Sequence, residues 1–413
     1  MNNLFVKPEF QFDDVDDVEY AELQQRKIEL LARKGNLDAI CYLGCCYAEG
    51  IDRKQDFSEA KKLFEQAVKL GHAEGYYLLG NLYCDGTGVP RNFKKAAELW
   101  KKGADLGNSW AQFELGLMYY NGVGVQKNIQ AAVKLFVQSA ADGNTDAMAM
   151  LGEIYCYGED GERNFSEAEK WWKNAAESGD VASMVSLGAL YLTDDFSGKN
   201  PDEGMKWWKK AADCGEAYAM FRLGIAYYFG NEVPENRAEG LKWIRNAANY
   251  GDAEAMYFMG DMYRDGDDVA KDNSEAIKWY AKAADAGDMS AMLTLADIYM
   301  NGDIAAKDEQ KALEYWTMAA ENGNVSAMYH LGSIYHGKDG FPQDADKIVY
   351  WWKNAADHGS DYAMVSLGLL YRSGELVPKN ESLAREWLTK AAARGNADAK
   401  QYLEEFAKED NCL

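Results

Sequence analysis

Apolar residues along this chain fall into two alternating patterns, each with the 3.6-residue spacing of an amphipathic helix. The first is seen at Ala147, Met148, Leu151, Ile154 and Tyr155, and predicts a helix over Asp146–Tyr157. The second begins at an Asx cap, Asn164, buries Ala168, Trp172, Ala175 and Ala176, and ends at Gly179, where a left-handed residue closes a helix. Glycines such as Gly86, Gly88, Gly122 and Gly124 lie between the two patterns and suit the positive φ of turns.

This helix pair is copied along the chain without a slip. Gly35, Gly71, Gly107, Gly143, Gly179, Gly215, Gly251, Gly287, Gly323, Gly359 and Gly395 stand 36 residues apart. Leu43, Leu79, Leu115, Leu151, Leu187, Leu223, Met259, Leu295, Leu331, Leu367 and Leu403 keep the same step. Glycine follows in all of these but repeat 8 (Ala296) and the final copy (Glu404), and tyrosine stands four residues on, from Tyr47 to Tyr371. The Asx caps run Asp56, Asn92, Asn128, Asn164, Asn200, Asn236, Asp272, Asp308, Asp344 and Asn380, with Glu59, Glu167, Glu203, Glu239 and Glu275 placed to complete capping boxes. A period of this size marks a solenoid, in which each unit buries its apolar face against its neighbours. The expected architecture is all-α: a capping helix over 18–34, ten repeats over 36–395 and a C-terminal capping helix over 396–409. An acidic and aromatic leader, 1–17, precedes this single 18–409 array.

The Ala-x-x-x-Leu-Gly-x-x-Tyr-x-x-Gly pattern, the Asx-capped second helix, Trp-x-x-Ala-Ala and the closing glycine resemble the Sel-one-like repeat, a 36-residue relative of the tetratricopeptide repeat. The resemblance covers roughly Val18 to Phe406. It implies a right-handed α/α superhelix acting as a scaffold or adaptor for protein complexes through its concave face, with no shared catalytic residues. A cysteine-rich secreted branch linked to penicillin binding carries repeated cysteine pairs that are absent here. The alternative function is a single-target inhibitor or immunity protein neutralising a basic toxin or enzyme.

Charge and chemistry narrow this further. A net charge of −23 disfavours nucleic-acid phosphates and anionic membranes and favours a basic protein or peptide as partner. No apolar run approaches a membrane helix, and the N-terminus lacks a basic stretch followed by an apolar one, so a cytoplasmic, monomeric protein is expected. The seven cysteines are odd in number and do not follow the period; Cys41 and Cys45 share a helix face but have no second ligand pair, and read as small buried thiols. Ser58 and Lys61 match a Ser-x-x-Lys pattern but sit in a repeat's ordinary first turn. The four histidines, His72, His330, His336 and His358, lack metal-ligand spacing, and the acidic loop Asp265–Asp268 lacks the remaining ligands of a calcium loop. Trp100, Trp172, Trp208, Trp316 and Trp352 share a register with Phe64, Phe136, Ile244 and Tyr280, an interchange that means packing between helices. No enzyme, cofactor or metal is expected.

The partner-binding surface follows from helical angle. With the ladder leucine at zero and about 100° per residue, positions −4, −3, 0, +1, +3 and +4 share one face of the first helix, and −2, +2 and +5 lie opposite. The opposite face varies between repeats. Repeats 3 and 6 place Phe113, Leu117 and Tyr120, then Phe221, Ile225 and Tyr228 on it, and Tyr77 and Tyr257 extend the strip. These eight residues either pack on an adjacent first helix or line the groove as aromatic anchors.

Overall fold

The computed structural model describes residues 17–159, 161–337 and 341–410, with the side chains of 17–24 and 409–410 excepted. Apart from Asp17 the acidic leader lies outside the described residues, as does Cys412. Twenty-two α-helices and no strand are present among the described residues. The capping helices are Asp17–Arg33 and Ala397–Asp410, and the ten repeats between them each contribute a first and a second helix. The chain forms two compact units, 1–207 and 208–413, whereas the unbroken period had suggested one array. Within each unit a helix contacts chiefly the helices before and after it in sequence.

Helix ends follow local chemistry closely. The ladder glycines have positive φ, for example 86° at Gly107 and 96° at Gly179. The residue after each such glycine caps the next first helix: Asn36, Asn108, Asn144, Asp180, Asp252, Asp288, Asn324, Ser360 and Asn396 each accept a bond from a first-turn N–H. First helices run 13 residues where a glycine closes them in the left-handed region, as at Gly86 and Gly302. Repeats 5 and 9 carry Asp194 and Lys338 in that register, and their first helices, Val181–Tyr191 and Val325–Tyr335, stop at 11 residues.

The second-helix caps correct the capping-box expectation. In all ten repeats the Asx oxygen accepts the N–H three residues on, at 3.0–3.3 Å. The cap's own N–H donates to the carbonyl of the ladder tyrosine nine residues back, at 2.7–3.0 Å. That donor is therefore spent, and Glu59, Glu167, Glu203, Glu239 and Glu275 turn instead to a lysine three residues on. One Asx residue thus clasps the first helix to the start of the second.

Packing inside a repeat joins the leucine-glycine pair to the large-residue register. The second helix lays its bulky side chain on the glycine of the first: a Cβ added at Gly116 would lie 2.6 Å from Phe136, and equivalent clashes meet Phe64, Trp100, Trp172, Ile244, Tyr280, Trp352 and Leu388. Repeat 8 accommodates Ala296 beneath Trp316, with both buried. Trp100 and Trp352 also donate through Nε1 to the carbonyls of Tyr77 and Tyr329, each at 3.1 Å.

Candidate protein-binding face

The first helices present the face on which a partner was expected, and the structure assigns the eight expected residues unequally. Tyr77, Phe221 and Tyr228 are buried; Phe113, Leu117, Tyr120, Ile225 and Tyr257 are half-buried. In repeat 6 (first helix Ala217–Phe229) Phe258 of the next repeat covers Phe221 and Tyr228, with ring centroids 6.5 and 5.6 Å away. The Tyr228 hydroxyl donates to Asp268 at 2.8 Å, and the Arg237 guanidinium lies 4.4 Å from the ring centroid. These two residues belong to the contact between successive first helices, which corrects the expectation that they meet solvent.

In repeat 3 (first helix Ser109–Asn121) the Phe113 ring packs 5.7 Å from Phe136 and, edge to face, 6.5 Å from Trp110. The Tyr120 phenol, hydrogen-bonded to Glu159, is pushed up to about 12 by that carboxylate and by burial. Tyr257 in repeat 7 lies 5.4 Å from Tyr280 and 3.4 Å from Thr294 Oγ1. The −2 and +5 positions thus lean toward neighbouring helices.

What remains open runs through −5, +2 and +6, a line rotated by roughly 50° from the expected one at 100° per residue. It carries Asp146, Glu153, Asp297, Tyr157, Tyr218, Phe229 and Tyr362, all exposed; Phe229 is 53 % and Tyr362 70 % accessible. Sequence reasoning passed over these residues because −5 and +6 fall outside the face it selected; their variation between repeats was the signal available.

The part of this line in repeats 2 to 4 is acidic. Burial, with Asp85 and Asp146 beside it, pushes the Glu114 carboxyl up to about 7. Burial and Asp180 raise Asp146, and burial with Glu159 and Asp180 raises Glu153. Glu74 is also raised by burial, against a bond of 2.7 Å donated by Asn108 Nδ2.

The other candidate chemistry resolves into packing and pairing. Cys41 Sγ lies 3.5 Å from His72 Nδ1, and His72 Nε2 lies 3.0 Å from Asp38, which is the order of a nucleophile, base and orienting acid. Burial, reinforced by Glu74 and Asp38, pushes this thiol up to about 12; at 2 % exposure it is a protonated core side chain. Cys45 is buried beside it. Lys61 reaches Glu65 at 3.6 Å, and the Ser58 N–H bonds Asp56 in the helix cap. Asp265 pairs with Arg264, and Asp268 with Arg237. His330 packs on Trp316, His336 on Trp352, and His358 Nδ1 is 2.8 Å from the Asn354 carbonyl. Among the described residues no group of three or more His, Cys, Asp and Glu side chains is placed to hold a metal ion, and no helix is long and apolar enough to cross a membrane.

Comparison with known proteins agrees with this anatomy. The Sel1 repeat model matches residues 37–72, 73–108, 111–144, 145–180, 181–216, 217–252, 253–288, 290–324, 325–360 and 361–396. A solved protective antigen of uropathogenic Escherichia coli displaying an SLR fold is similar at 31 % identity, over 92 % of this chain and 81 % of its own, with a TM-score of 0.62. A Sel1 repeat protein from Oxalobacter formigenes is 28 % identical over 75 % of this chain and 90 % of its own, with a TM-score of 0.54. Among curated proteins none matches the chain. With ten consecutive matches between residues 37 and 396, the chain belongs to the Sel1 repeat family.

Proposed function

We propose that this protein is a scaffold or adaptor that binds protein or peptide partners along the exposed line of its first helices. Sel1 repeat proteins generally mediate protein–protein interaction. The observation that carries the reading is a division of labour within the repeat. Positions that recur are spent on packing and clasps, while the exposed line changes side chains from repeat to repeat and includes large aromatics such as Phe229 and Tyr362. A basic partner suits the net charge of −23 and the carboxylates in repeats 2 to 4. Described cysteines that are all unpaired support a reducing compartment, the cytoplasm.

Replacing Tyr157, Phe229 and Tyr362 together with serine tests the face, because exposed side chains can be changed with little effect on folding. Affinity capture from the native host is expected to lose its partners while the melting temperature holds. Undiminished capture by this variant would overturn the placement, and a tagged parent that captures nothing would overturn the function. Several unrelated partners identify an adaptor; one tight partner whose activity is suppressed identifies the single-target inhibitor.

A further inference from the structure

We propose that the first helices of repeats 3 and 4 form a receptor for an arginine or lysine in an extended segment of the partner, the cation lodging between the Trp110 ring and the carboxylates of Glu114 and Asp146. This rests on the protein-binding reading and gives its partner a chemistry.

Trp110 and Glu114 stand one turn apart on the helix Ser109–Asn121, and Asp146 occupies the register of Trp110 one repeat later, on Thr145–Tyr157. The charges acting on Glu114 are Asp85 and Asp146, both negative, and among the described residues no cation reaches Glu114 or Asp146 at ion-pair distance. A carboxylate that is largely withdrawn from water and faces only like charge gains most from an incoming cation. The Trp110 ring, held edge to face by Phe113, supplies the π face that a guanidinium or ammonium prefers.

A second, independent feature points to main chain beside that cation. Asn144 is only 6 % exposed, and its Oδ1 is committed to the cap of its own helix, accepting from Ala147 N–H at 2.9 Å; its Nδ2 donates to nothing. One repeat earlier the equivalent amide, Asn108 Nδ2, donates to Glu74 at 2.7 Å. The residue in Glu74's register is now Trp110, which offers no acceptor, so the Asn144 donor is aimed into the same face and left open for a peptide carbonyl. Trp110 is the side chain that turns aside as that carbonyl enters. An acidic or purely apolar segment satisfies neither group.

The test is selection of a displayed random-peptide library on the full chain and on the Glu114→Gln, Asp146→Asn double variant. Peptides from the parent are expected to be enriched in arginine or lysine at one position. The enrichment disappears on the variant, and the selected peptide, synthesised and labelled, binds the variant at least tenfold more weakly. Changing its basic residue to the neutral isostere citrulline or to norleucine weakens it equally. Asn144→Asp keeps the cap, as Asp180 does one repeat on, and weakens the same peptide. Folding is read independently: ionised Glu114 opposes the fold above neutral pH, so the double variant is expected to melt at or above the parent at pH 8. Selected peptides without basic enrichment, or equal binding to parent and variant, overturn this inference and leave protein binding intact; a library from which the parent selects nothing overturns it as well, while host capture judges the broader function separately.

Discussion

At the scale of single residues, the Asx caps do two jobs that their position in the pattern announces only in part. Asn164 accepts the Glu167 N–H at 3.1 Å and donates its own N–H to the Tyr155 carbonyl at 2.8 Å. Alanine in its place keeps the second bond, which is main chain, and loses the first. Asn164→Ala is therefore expected to cost about 1 kcal/mol, the usual loss for a side-chain cap, read as a shifted urea midpoint with unchanged helicity; a midpoint that does not move would show that the clasp rests on the backbone alone. The cap register was plain in the sequence. The tyrosine carbonyl that occupies the cap's N–H was not, since a glutamate three residues on signals a capping box whatever the preceding helix does.

At the scale of the helix pair, the deciding contact is a bulky side chain seated on a glycine. Gly116 and Phe136 come from registers 20 residues apart in sequence, and both recur, yet the period alone does not say that they touch. Gly116→Ala places a methyl 2.6 Å from the phenyl ring, an overpacking expected to cost about 1–3 kcal/mol. Phe136→Leu alone opens a void and is also destabilising, but joined to Gly116→Ala it makes room for the methyl. The double variant is thus expected to be more stable than the sum of the singles, by a coupling of about 1 kcal/mol measured in a double-mutant cycle. Strict additivity would mean that the two positions do not share the packing site. Repeat 8 already carries an alanine there, buried under Trp316, so the pocket has a permissive form.

For the whole molecule, nearest-neighbour contacts make whole repeats exchangeable. Removing 146–181 joins Thr145 to Ala182 and leaves Asn144 three residues before Ser183, so the cap geometry is re-formed at the junction. The shortened chain is expected to keep its helicity per residue by circular dichroism and to unfold cooperatively. An unfolded product would show that stability depends on contacts that skip repeats. The division into two compact units, with its boundary inside the helix Pro201–Asp213, coincides with no change in the period and could not have been read from it.

What the sequence determined by itself was everything local and periodic: helix class, the alternation of first and second helices, their caps and closing glycines, and membership of a repeat family. These follow from spacing and from the backbone chemistry of Asx and glycine, which operate within a few residues. Tertiary structure alone decided which side of the first helix stays open. Variation between repeats marks both true surface and interchangeable packing, and a helical wheel cannot separate them. The choice depends on how each first helix leans on the next, which buries Phe221 and Tyr228 under Phe258 and leaves Phe229, a single residue further on, in solvent. The carboxylates of repeats 2 to 4 were legible as residues; their lack of cations and the unmet Asn144 donor appeared only once neighbouring helices were packed together.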